Sequence, residues 1–480
     1  MAEMRICSTE QLAEWRTLTD RRIHEIENSP NMAIPEGTPV YYVSLDGEDT
    51  ADGTAPERAW KTLDRVNCAE FAPGTYVCFR RGDLWRGQIR AKTGVTYTAY
   101  GTGDKPKLYG SPENGADPAK WQPADGEDLW MYRGWPEDVG TIVFDHGKAH
   151  GIKCILRREK DGSVWNNTTG EPWQDYRDLT TDLHFYHDLQ TGVIYLRSAE
   201  NPGTRFSSIE FSVKRHGFAI AGNEITIDNF EVRYVGSHGV GAGTTAGLTV
   251  QNCMFHWIGG SIQAEGLFGR NHATRYGNAV EIYGGCDRYT VRDCWFTQIY
   301  DAAVTQQVTL TPEHQKNGTD LCQKNVLYSG NVMEYCNYSV EYFLGSVPEG
   351  NPSRMENLVI ADNYMWYAGR GFCIQRPDKT EAAHIKGWNH TNPAADYRIC
   401  GNVMVDSFNM LVHIYSSVPG TEGGDSMPVL ENNHFAGRRG DSFGILAFRD
   451  GKRMPYDETT AAYLGERSSG DILWFAENEI

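Results

Sequence analysis

The sequence predicts an all-β fold in which a parallel β-helix, a solenoid of short stacked strands, makes up most of the chain. Three observations predict it. A short phrase recurs between residues 229 and 435: Asn229-Phe230-Glu231-Val232, Asn252-Cys253-Met254-Phe255, Asp293-Cys294-Trp295-Phe296, Asn331-Val332-Met333, Asn363-Tyr364-Met365, Asn402-Val403-Met404 and Asn433-His434-Phe435. A β-prone run precedes each copy (ITID, LTV, YTV, NVLYS, NLVI, YRI, PVL), and another short strand follows it (GVGAG, AVEIY, AVTQQ, SVEYF, FCIQ, LVHIY, GILAF). The shortest interval, Asn229 to Asn252, is one solenoid repeat long, and longer intervals fit one turn plus a loop grown out of it.

The repeat has a physical reason. Coils stack about 4.8 Å apart, and a single coil cannot bury its own apolar face, so neighbours share one continuous core. Equivalent residues then lie above one another. Asn at the tight turn tolerates left-handed backbone and bonds its neighbours, which predicts an amide ladder. An antiparallel sandwich is disfavoured because Asn-Gly hairpin turns are scarce.

In chain order, residues 1–39 hold a predicted helix over 8–27, capped by Ser8 or Thr9, with Leu12, Trp15, Leu18, Ile23 and Ile26 as its apolar positions. It is expected to cover the open end of the solenoid. Residues 40–110 form the first coils, with strands at 40–44, 75–80 and 94–100 and a short helix at 60–66. The loop Asp46-Gly47-Glu48-Asp49 to Asp52-Gly53 lacks EF-hand spacing; a solvated turn is expected and no cofactor, calcium being the ion such a loop would take. Residues 111–215 break the repeat and are rich in Trp121, Trp130, Tyr132, Trp135, Trp165, Trp173, Tyr176 and Tyr186. They read as a small antiparallel β-domain inserted between coils. Its aromatics either serve its own core, the weightier reading, or wall a cleft. Residues 216–450 are the main solenoid, interrupted by loops at 308–324 and 377–396, and residues 451–480 cap its far end.

Composition narrows the function. The formal net charge is −18, which argues against nucleic acid as partner. The 11 cysteines form no CxxC or Cys/His cluster, so buried thiols and a reducing compartment are expected. No stretch spans a membrane and the N-terminus has no signal-peptide run, so a cytoplasmic enzyme is the simplest expectation, a secreted protein with its signal removed the alternative. Nothing decides between monomer and homo-oligomer.

The chemistry lies on the strands after the phrase. Alternation turns Val280, Val304, Val340 and Phe372 inward, with Ile282 and Tyr342. It turns outward Glu281, Thr305, Glu341 and, after a one-residue shift, His413. Tyr283, Gln307, Phe343 and Gln375 form a second outward column edged by Arg376, while Asp301 enters the Thr305 strand in IYDAAVTQQ. Gln306, and His384 and Trp388 on the 377–396 loop, complete the candidate substrate contacts. Paired carboxylates are what glycoside hydrolysis needs, one giving a proton and the other attacking the sugar or activating water. Stacked coils space them in steps: Glu281 and Glu341 lie two strands apart if loop 308–324 adds no coil.

Three stretches carry a resemblance. YYVSLDGEDTADGTAPERAWKTLDRV followed by PGTYVCFRRGDLWRG, the aromatic insertion after the first coils, and IYDAAVTQQ followed by SVEYF resemble bacterial right-handed parallel β-helix proteins of the pectate-lyase-like superfold. More narrowly, the chain is similar to glycoside hydrolase families 120 and 141. The resemblance implies a right-handed solenoid and an oligosaccharide or glycoside substrate. It also implies that Asp301 and Glu341 are the acid/base and nucleophile or water-activating pair, with Glu281 in reserve. The competing expectations are a polysaccharide lyase, using Lys379, Lys386 or Arg376 on a uronic-acid glycan, and a non-catalytic glycan-binding solenoid.

Overall fold

The computed structural model describes residues 2–347, 350–376, 381–390, 394–416, 428–448, 453–465 and 468–476. These residues form an all-β architecture of mostly parallel strands. Between residues 225 and 448 each layer contributes three strands, and successive layers pair strand by strand. Ile225–Asp228 pairs with Leu248–Gln251, which pairs with Cys286–Arg292. Glu231–Val235 pairs with Met254–Ile258, which pairs with the first half of Trp295–Thr309. Val240–Ala242 pairs with Val280–Tyr283, which pairs with the second half of Trp295–Thr309. The earlier strands Val40–Val43, Tyr76–Arg80 and Thr96–Tyr100 begin the first of these faces. This stacking is consistent with a solenoid. The long interval from Asn252 to Asp293 is taken up by an antiparallel hairpin at 261–276.

The recurring phrase spans two adjacent columns, not one. Asn229, Asn252 and Asp293 sit in left-handed backbone (φ 63°, 53° and 56°), in register with Gly330, Asp362, Gly401 and Asn432. Asn and Asp suit this conformation because their short polar side chains tolerate it. The next residue forms the ladder. Asn331 Nδ2 donates to Asn363 Oδ1 (3.0 Å), Asn363 to Asn402 (2.9 Å), Asn402 to Asn433 (3.0 Å) and Asn433 to Asp471 Oδ1 (2.8 Å). In the earlier layers Cys253 and Cys294 take this position. The Phe230 and Cys253 amides each donate to the sulfur one layer on (3.5 Å), and the Cys294 amide donates to Asn331 Oδ1 (3.0 Å). All these side chains are buried, and the ladder satisfies polar groups that would otherwise be stranded.

The N-terminal helix, Thr9–Glu27, begins at Ser8, whose Oγ accepts the Gln11 amide (3.2 Å). Contrary to expectation it does not cover an open end. The strand before it, Glu3–Cys7, which sequence reading missed, pairs in parallel with Ile472–Ala476 at the C-terminal end of the stack. The helix then runs back across the layers. Trp15 packs with Trp366, Val405 and Trp474, and Ile26 with Met254 and Val332. Arg16 pairs with Glu334 and Arg22 with Asp293. Nineteen helical residues span roughly 28 Å, about six layers. The physical reason is that the outward sides of these strands carry apolar residues, and a lengthwise helix covers many layers at once. The helix Glu458–Gly465 places Ala461 and Leu464 in the main core beside Leu473.

Residues 111–215 hold two small sheets built largely from antiparallel pairs, including the hairpin His184–Asp188 with Val193–Arg197. Trp121, Tyr132 and Trp135 pack with Phe185, Ile194 and Phe211, and Trp173 with Leu129 and Leu179. These aromatics serve local cores.

Asp49 accepts the Lys61 and Thr62 amides (2.8 and 2.9 Å) and Asp46 pairs with Arg80, so these carboxylates organise turns. Among the described residues no group of three or more His, Cys, Asp or Glu is placed to hold a metal ion, and no helix is long and apolar enough to cross a membrane.

Candidate active site

The register sets one outward column along the third face: Ala219, Gly241, Glu281, Thr305, Glu341, Lys386, His413 and Ile445. It follows from alternation, since Val280, Val304, Val340, Ile385 and Val412 point into the core. Loop 308–324 adds no strand to this face, so Glu281 and Glu341 are two layers apart with Thr305 between them. His413 joins the column directly, without the expected shift.

Lys386 fills a position that sequence reading gave to another segment. Residues Phe372–Gln375 are a 3-10 turn, and the strand of this layer is Ala383–His390, within the segment expected to be a loop. Phe372 therefore leaves the inward column and packs with Trp257 and Tyr300. Gln375 leaves the column of Tyr283, Gln307 and Phe343; its Oε1 accepts the Lys153 amide (3.1 Å) and faces Arg275. Two other candidates are turned away from the outward face. Gln306 is on the core side, hydrogen-bonded to Tyr328. His384 is buried, Nε2 2.8 Å from the Asp406 carbonyl and Nδ1 3.2 Å from Ser339 Oγ. Lys379 lies outside the described residues.

The three carboxylates have different surroundings. Glu341 accepts from Trp388 Nε1 (2.5 Å) and Gln307 Nε2 (3.4 Å). Asp301 pairs with Arg376 (2.6 Å), whose side chain is 0% exposed against 2% for the carboxylate. Glu281 accepts from the Asn278 amide group and lies 3.2 Å from His238 Nδ1. Tyr338 lies within the field of two of them: burial raises its pKa well above the usual phenol range, Arg376 works against that, and Glu341 and Asp301 reinforce it. Beyond Glu341, Lys386 pairs with Glu381 (2.6 Å), contacts His413 and stacks over Trp388 (3.8 Å). Burial, then the Lys386 charge, lowers His413 to about 4, so it is neutral near pH 7.

The residues sequence reading missed stand two places before the inward Phe218, Val240 and Val280. His216, His238 and Asn278 form a second ladder: the His238 amide donates to His216 Nδ1 (3.4 Å), the Asn278 amide to His238 Nδ1 (3.1 Å), and the Ala302 amide to Asn278 Oδ1 (2.7 Å). The signal is readable as His-Gly-Phe, His-Gly-Val and Asn-Ala-Val at 216–218, 238–240 and 278–280. Beside this ladder a cavity of about 770 Å³ opens over Ala219 and Gly241, with Glu281 and Tyr283 in its lining.

No family model matches the chain, and no curated protein matches it. Solved structures do. A complex of XylC with xylose aligns at 12% identity and TM-score 0.49, covering 87% of this chain and 73% of that one. A GH136 lacto-N-biosidase from Eubacterium ramulus aligns at 12% identity and TM-score 0.37, covering 97% and 71%. A family 28 exopolygalacturonase from Yersinia enterocolitica aligns at 10% identity and TM-score 0.39, covering 92% and 79%. At these identities and TM-scores the likeness identifies no corresponding residues.

Proposed function

We propose that the protein is a glycoside hydrolase, its strands wound as a right-handed parallel β-helix whose third face binds an oligosaccharide or glycoside. The observation that carries this reading is the placing of Glu281 and Glu341 in one outward column, Glu281 in the lining of an open cavity, with Asp301 paired to Arg376 at the start of the Thr305 strand. Glu281 is the proton donor. It lines the open cavity, where a glycosidic oxygen can reach it, and its carboxyl is held by the Asn278 side-chain amide beside His238. Glu341, accepting from Trp388 and Gln307, is the ionised base. Two layers separate their backbones by about 10 Å, from which side chains reach the roughly 6.5–9.5 Å spacing of inverting enzymes.

In the reaction Glu281 gives its proton to the glycosidic oxygen as the C1–O bond breaks. Glu341 takes a proton from water, whose oxygen bonds to C1 from the opposite face. Asp301, paired with Arg376 and withdrawn from solvent, takes no proton in this scheme.

A lyase is the second reading, favoured by Lys386 lying next to Glu341 in the same column. A panel of 4-nitrophenyl glycosides and short oligosaccharides, with Glu341→Gln beside wild type, separates them. Sugar release that disappears in the variant supports the hydrolase. An unsaturated product from a uronic-acid polymer, with no glycoside cleaved, replaces it with the lyase.

A further inference from the structure

We propose that the cavity over Ala219 and Gly241 is a subsite for one uncharged sugar residue, its hydroxyls recognised by the Nε2–H groups of His216 and His238. The inference rests on the glycosidase reading and specifies the class of sugar unit that sits beside Glu281.

Geometry fixes the tautomers. Each imidazole uses Nδ1 to accept the backbone amide of the next layer, which leaves Nε2 carrying the hydrogen in the neutral ring. Both rings line the cavity and stack on each other at 5.1 Å, so their orientation is set before a ligand arrives. Burial lowers both to about 4; the neighbouring His238 adds to the effect on His216, and Asp301 opposes it on His238. They are neutral donors near pH 7.

The rest of the lining is of the same kind. Gln88, Gln263 and Ser237 add uncharged polar groups, and Tyr283, 53% exposed, offers a ring for the apolar face of a sugar. Of its charged groups, Arg215 pairs with Glu137, and Lys214 stands exposed to solvent. The cations a uronate would meet among these residues are Arg215, already engaged with Glu137, and the solvent-screened Lys214. The volume falls within the roughly 300–1,000 Å³ of small-molecule sites. The floor is built of Ala219 and Gly241, the two small members of the outward column, where later layers carry Glu281, Thr305 and Glu341.

The test uses two variants. Ala219→Trp fills the cavity. His216→Asn removes the Nε2–H donor while keeping an acceptor for the His238 amide, as Asn278 does in the same column. Binding of free neutral monosaccharides (xylose, galactose, fucose, N-acetylglucosamine) and of glucuronate is read by ligand-observed NMR, and KM is measured on any glycoside that wild type cleaves. Expected are neutral-sugar binding by wild type, its loss in Ala219→Trp, and about three- to tenfold weakening in His216→Asn, with KM following. Turnover with KM unchanged in both variants overturns the subsite and leaves the hydrolase standing. Neutral-sugar binding lost in Ala219→Trp, without turnover by wild type, retains the subsite and removes the hydrolase. Preference for glucuronate, or no neutral sugar bound, overturns the subsite.

Discussion

The Trp388 indole donates its Nε1–H to Glu341 Oε1 across 2.5 Å, from a strand one layer beyond the carboxylate. This charge-assisted hydrogen bond, with the longer one from Gln307 Nε2, orients the proposed base. Trp388→Phe keeps the ring and removes the donor. It is expected to lower kcat roughly ten- to a hundredfold with KM little changed, measured on the best aryl glycoside. An equal rise in KM with kcat intact would make Trp388 a binding residue instead.

Arg376 and Asp301 form an ion pair withdrawn from solvent. Removing one partner leaves the other charged and buried. Arg376→Met is therefore expected to destabilise the fold by about 3–5 kcal/mol, and the double change Arg376→Met with Asp301→Asn to restore much of that. Urea unfolding of the three variants measures it. Equal stability of the single variant and wild type would show that the charge has another partner.

The amide ladder should be a stability element. Asn363→Ala removes the acceptor of Asn331 and the donor to Asn402 and leaves a small void. About 3 kcal/mol of destabilisation is expected, read as a lower midpoint of thermal or denaturant unfolding.

Several histidines are buried as neutral rings: burial lowers His216, His238, His384 and His413 to about 4 from 6.5. Between these values the unfolded chain binds protons that the folded chain does not. Stability therefore falls as pH drops from about 6.5 to about 4, and this contribution levels off below that. A Tm on the order of 10 °C lower near pH 4.5 than near pH 7 is expected by calorimetry.

Much of this architecture was legible in the sequence because stacking forces repetition. The inward valines at 280, 304 and 340 and the outward Glu281, Thr305 and Glu341 follow from alternation alone. Periodicity does not separate the two Asn columns, because Asn serves both at a left-handed turn and in a ladder. It also missed the left-handed bends at Tyr234, Trp257, Gln298, Tyr335 and Tyr367 (φ 54–58°). Residues of these types seldom adopt that conformation, and here the stack imposes it layer after layer. FCIQ has strand-like composition but winds as a 3-10 turn, which carries Arg376 to Asp301 and gives the strand position to Ala383–His390. The contact between Ile26 and Met254 joins segments far apart in the chain, so no local signal could place the helix lengthwise.

The two-layer separation of Glu281 and Glu341 makes the most direct test. Proton NMR of the first sugar released from a glycoside that wild type cleaves reports the anomer before it equilibrates. The inverted anomer, with release abolished in both Glu281→Gln and Glu341→Gln, is the expected result. The retained anomer, or undiminished release by either variant, would contradict the assignment of these carboxylates as acid and base.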